Sequence, residues 1–74
     1  MVNVRNKKLI EAFGVRVRAL REKQKLSQEQ LANMADVPIS QIGRIERGEV
    51  NTTISTLKAI ADALKIPPAR LLEF

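Results

Sequence analysis

The stretch 27–48, SQEQLANMADVPISQIGRIERG, constrains the chain more than any other, because it reads as two short helices separated by a turn of only Ala35, Asp36 and Val37. Ser27 is followed three positions later by Gln30, and Leu26 and Leu31 bracket the pair. A capping box and a hydrophobic staple therefore coincide at one helix start, and that helix is expected to run to about Met34. The second helix begins near Pro38, whose fixed φ suits a first helical turn. It stops at Gly48, a residue that tolerates the left-handed conformation common at helix ends.

On a helical wheel the second helix has two chemically opposite faces. Ile42 and Ile45 point one way; Ser40, Arg44 and Arg47 point the other, with Gln41 and Gly43 on the flanks. The outward face carries forked donors and an amide, with almost nothing apolar or acidic. It suits a polar, anionic ligand. Arginine presents a fork to guanine, glutamine to adenine and a serine hydroxyl to either, which makes Arg44, Gln41 and Ser40 candidates for base edges. Gln28 lies in the first turn of the preceding helix, where unpaired backbone N–H groups and the helix dipole favour a phosphate. Arg18, Arg21, Arg47, Asn51, Thr53 and Ser55 are further candidates for phosphate around such a groove. For each of these residues the plain alternative is a solvated polar surface.

Upstream, Ile10, Phe13, Val17 and Leu20 recur at spacings of three and four, describing one buried stripe on a helix over about residues 6–25 that Leu9 widens. Gly14 lies within it and costs about 1 kcal/mol relative to alanine, so either the first turns form weakly or a neighbour approaches closely. Residues 1–5 carry no periodic pattern and are expected to be a flexible arm with one basic residue, Arg5. Downstream, Thr53 reads as a cap for a helix carrying Ile54, Leu57, Ile60, Ala61 and Leu64 and ending near Lys65. Pro67 and Pro68 break it, and Pro68 opens a short last helix bearing Leu71, Leu72 and Phe74. Five helices and no strand predict a single all-α domain over 1–74.

A 74-residue chain buries only about 60% of its unfolded surface. It needs dense packing, a staple or a partner. The sequence holds no cysteine and no histidine, which excludes disulfides, the usual zinc sites and any nucleophile–base pair, so neither an enzyme nor a metal or other cofactor is expected. Thirteen basic residues against 8 acidic give a net charge of +5, favouring an anionic partner. No run has the length of a membrane span, and the amino terminus lacks the apolar core of a signal peptide. A cytoplasmic protein is expected.

The motif LSQEQLA, the isoleucine at Ile42, IERG at residues 45–48, the upstream Arg-x-Arg-x-x-Arg and the downstream LKAIADALKIP together resemble the XRE-type helix-turn-helix regulators of the phage repressor and Cro group. That resemblance covers nearly the whole chain. It implies a lambda-repressor-like fold in which residues 39–46 form the recognition helix, with Ile39 and Gly43 joining Ser40, Gln41 and Arg44 at the bases and Gln28 on the DNA backbone. It also implies a structural salt bridge between Glu46 and Arg21. Glycine is usual in such proteins where this chain has Asp36, so a positive φ is expected there; Pro38 and Gly43 depart from the common pattern as well. The size and shape resemble restriction-modification controller proteins and small phage repressors. The expected function is a sequence-specific, DNA-binding transcriptional regulator. It would act as a homodimer on inverted repeats, blocking RNA polymerase or touching it from an adjacent site. Leu64, Leu71, Leu72 and Phe74 are the candidate dimer surface, since a helix of little more than one turn cannot turn all its apolar side chains inward. The alternative is an antitoxin-like protein-interaction module whose DNA contact is secondary.

Overall fold

The computed structural model describes residues 5–74, so the arm expected over 1–5 lies outside the described residues except for Arg5, whose guanidinium donates to the Glu49 carbonyl at 3.3 Å. Four α-helices follow one another: α1 (Lys7–Lys23), α2 (Gln28–Ala35), α3 (Ile39–Glu46) and α4 (Ile54–Leu64). The expected fifth helix is a 3₁₀ turn, Pro68–Leu72. Five residues that begin with the second of two prolines leave no room for a ladder of i→i+4 bonds, and the Arg70 amide donates to the Pro67 carbonyl three positions back at 2.9 Å. No strand occurs among the described residues.

Side-chain caps set the starts of α1, α2 and α4, while α3 begins after Pro38 without one. Asn6 accepts from the Leu9 amide, and Thr53 from the Thr56 amide. At α2 the capping box is closed in both directions: the Ser27 hydroxyl accepts from the Gln30 amide at 3.0 Å, and the Gln30 side chain accepts from the Ser27 amide at 2.8 Å. The helix ends use left-handed residues. Gly48 has φ 73°, and Lys25, Asp36 and Lys65 have φ 60°, 58° and 59°. A β-carbon is disfavoured in this region, by about 1–2 kcal/mol, while glycine loses part of that gain to unfolded-state entropy. Asp36→Gly is therefore expected to stabilise the fold by about 0.5–1 kcal/mol, seen as a raised Tm; an unchanged or lower Tm would count against strain at this turn.

The core joins Phe13, Val17 and Leu20 of α1 to Leu31 and Ala35 of α2, Ile42 and Ile45 of α3, and Ile60, Ala61 and Leu64 of α4. Leu71 of the 3₁₀ turn closes it. The apolar stripes are narrower than their spacing suggests: Leu9 is 47% exposed and Ile54 85% exposed. Both lie in first turns, where side chains lean back past the helix end and away from the packed layers. Leu64 and Leu71 are fully buried in the chain's own core, so of the four candidate dimer residues only Leu72 and Phe74 face outward.

Gly14 resolves the alternative left open by the sequence in favour of close approach. A β-carbon at Gly14 would fall inside contact distance of the Ile45 carbonyl oxygen and 2.9 Å from that of Glu46. The backbones of α1 and α3 meet there. Gln24, the C-cap of α1, donates to the Leu64 carbonyl at 2.7 Å, and Arg16, two residues past Gly14, donates to the Arg70 carbonyl at 2.9 Å. These two bonds tie α4 and the C-terminal turn to the first helix.

Candidate nucleic-acid interface

The outward face of α3 rests on a buried polar cluster. Arg21 of α1 donates through Nε to Glu46 Oε2 at 2.7 Å and through Nη2 to Oε1 at 3.0 Å, a two-point fork between side chains only 10% and 3% exposed. Its Nη1 donates to the Leu26 carbonyl at 2.7 Å. The hydrogen bonds to Glu46 push the guanidinium above its ordinary pKa, outweighing the opposing effect of burial. Every nitrogen of Arg21 is thus engaged in holding α1 to α3 and to the start of α2. The structure shows Arg21 in the scaffold role expected of it, with one donor of each nitrogen committed inside the fold.

Gln28 completes the cluster by donating from Nε2 to Glu46 Oε1 at 3.0 Å. Its amide is anchored inside the fold, with Oε1 lying 3.7 Å from where a β-carbon of Gly43 would stand. No spacing rule announces this bond, since 18 positions separate the two residues.

Above the cluster, Ile39, Ser40 and Arg44 are exposed and Gln41 is half-buried, while Ile42 and Ile45 on the opposite side are 0% and 1% exposed. The helix cannot roll without exposing both isoleucines. Arg44 forms no ion pair among the described residues. Gly43, expected at the bases, is buried: the Arg47 guanidinium lies over it, with Nη1 3.0 Å from where a β-carbon would stand. Arg47 is held by Glu49, at 2.8 Å from Nε to Oε2 and 3.4 Å from Nη2 to Oε1. That clamp went unread in the sequence, although the turn at Gly48 brings positions 47 and 49 together.

Around this face, Arg18 pairs with Glu22 at 3.3 Å along the exposed side of α1. Asn51 and Ser55 are exposed. Thr53 differs from them, because its hydroxyl both caps α4 and donates to Thr56 Oγ1 at 3.1 Å, so it serves the helix start first. Among the described residues no cluster of acidic, histidine or cysteine side chains has the arrangement to hold a metal ion, and no helix is long and apolar enough to cross a membrane.

Residues 17–71 match the family described as Helix-turn-helix. The chain is 46% identical over 59 residues to the HTH-type transcriptional repressor RghR of Bacillus subtilis (strain 168), covering 78% of this chain but 44% of the repressor. It thus spans less than half of that relative's length. It is 40% identical over 63 residues to control protein C.BamHI of Bacillus amyloliquefaciens, covering 84% of this chain and 78% of that one. Its fold matches the crystal structure of the restriction-modification controller protein C.AhdI from Aeromonas hydrophila with a TM-score of 0.83 at 39% identity, covering 84% of this chain and 94% of the other.

Proposed function

The chain belongs to the helix-turn-helix family, and on that premise we propose that it is a sequence-specific DNA-binding transcriptional regulator of the controller or phage-repressor kind, working in the cytoplasm. One observation carries this reading: Arg44 stands exposed and unpaired on a helix whose other side is locked into the core. α3 enters the major groove, with Arg44, Ser40 and Gln41 at base edges and Ile39 offering methyl groups to thymine. The first α2 turn at Gln28, together with Arg18, Arg47, Asn51 and Ser55, takes the flanking phosphates.

Phosphate contacts set salt dependence, whereas base contacts set discrimination. Arg44→Ala is expected to cost about 1–3 kcal/mol per half-site on the preferred duplex while flattening preference at one base pair. Arg18→Ala is expected instead to weaken all sequences alike and to lower the magnitude of the salt slope by roughly 1 per half-site. Salt titrations of both variants on selected and scrambled duplexes separate the two roles. Equal loss on both duplexes for Arg44→Ala would reduce Arg44 to a phosphate ligand.

The acting unit is a homodimer, presenting two α3 helices to inverted half-sites about 34–36 Å apart. Leu72 and Phe74 are 53% and 58% exposed, and Leu72 borders an apolar groove of about 100 Å³ shared with Leu9, Phe13 and Leu57. A two-fold contact covers this surface and adds stability that a small core lacks. In analytical ultracentrifugation at tens of micromolar the wild type is expected to sediment as a dimer and Leu72→Asp as a folded monomer; a monomeric wild type would end this part of the proposal. Bound near a promoter, such a dimer blocks RNA polymerase or touches it from the adjacent site.

A further inference from the structure

Arg47 is one of the proposed phosphate ligands, yet its two-point edge is already occupied. The Nε/Nη2 edge, by which arginine grips a carboxylate or phosphate at two points, is taken by the two oxygens of Glu49 at 2.8 and 3.4 Å. The remaining nitrogen, Nη1, is seated in the gap left by the missing side chain of Gly43, with Gln28 Oε1 on the far side of the same gap. A β-carbon at position 43 would stand 3.0 Å from Nη1 and press the guanidinium outward by a few tenths of an ångström. The clamp is possible only because Gly48, at φ 73°, turns the chain back so that residue 49 reaches residue 47.

We infer that Glu49 is an internal phosphate surrogate, which occupies Arg47 until a DNA phosphate displaces it and so restrains binding to every sequence alike. The inference rests on the DNA-binding reading above. Glu49 stays charged under ordinary conditions, since the hydrogen bond from Arg47, together with the positive charges of Arg47 and Arg44, holds its carboxyl below its usual pKa. The pair is exposed, at 59% and 51% of the side-chain surface, so exchanging one anion for another requires no opening of the core.

The exchange has a distinctive electrolyte signature. When an unpaired arginine meets a phosphate, one DNA counterion is released. When the arginine first leaves Glu49, the freed carboxylate remains beside the contact as an opposing negative charge, and the net release there falls below one. Removing the charge of Glu49 therefore restores a missing increment of salt dependence as well as affinity.

The test uses anisotropy titrations at several salt concentrations with wild type, Glu49→Gln, Arg47→Ala and the double variant, on one scrambled duplex and one duplex selected from a random pool. Glu49→Gln is expected to bind both duplexes more tightly by about twofold to fivefold per copy, the range spanned by exposed ion pairs. Its salt slope is expected to steepen by up to about 1 per copy. The double variant should match Arg47→Ala in affinity and slope. A gain that persists without Arg47 would make Glu49 only one negative charge near DNA, and weaker binding by Glu49→Gln would make it a positioning residue for Arg47; either result overturns the inference while leaving the regulator reading intact. A wild type that binds neither duplex sinks both.

Discussion

Glu46→Ala is expected to destabilise the protein by about 3–5 kcal/mol, the cost of leaving a buried charge without its partner. The side chain is 3% exposed and accepts from Arg21 twice and from Gln28 once, so its removal strands donors on both α1 and α2. A domain of this size has little reserve: total stabilities of about 5–15 kcal/mol are usual, and the small core places this one toward the lower end. Urea unfolding followed by circular dichroism at fixed salt gives the measurement. The double replacement Arg21→Met with Glu46→Leu should recover much of the loss, because apolar side chains of similar size carry no desolvation cost. A single-variant loss below about 1 kcal/mol, the net value of an ordinary hydrogen bond, would mean that the cluster does not hold α3 against α1.

Gly14→Ala is expected to lose about 2–3 kcal/mol, although alanine in a helix interior ordinarily gains about 1 kcal/mol over glycine. The added methyl group would meet the carbonyl oxygens of Ile45 and Glu46, which are backbone atoms and cannot rotate away. Relief requires α3 to shift from α1, and that movement also strains the Arg21–Glu46 fork. The sign of the change is decisive, since a raised Tm would show that the two backbones have room between them.

How far a residue could be read from sequence depended on the distance over which its reason acts. Ser27, Gln30, Thr53 and Gly48 announced helix boundaries because capping bonds and left-handed turns are settled within three or four positions. The inward set of Ile42 and Ile45 followed from periodicity for the same reason, and the family resemblance extended that reading to the outward face. The corrections came at the margins of periodic segments. Leu9 and Ile54 fit their stripes by spacing but lie in turns that extend past the packed layers, and the wheel carries no information about where a neighbouring helix ends. The last helix had the right place and the wrong hydrogen bonds, because two prolines and a five-residue span favour the tighter i→i+3 closure.

The sequence by itself determined four amphipathic helices, the tight turn between α2 and α3, a basic outward face on α3 and the exclusion of thiol and imidazole chemistry. Each of these depends on residue types or on neighbours within about one helical turn. The Arg21–Glu46 bridge implied by the family resemblance is present, while the tertiary structure alone decided that Gly14 is a contact surface, that Gln28 joins Arg21 at Glu46, that Leu71 belongs to the core while Leu72 does not, and that Arg47 lies clamped over Gly43. Such outcomes depend on which helix faces pack together and how closely their backbones approach. A side-chain amide such as that of Gln28 carries no directional preference for a partner 18 positions away until burial removes water as the alternative.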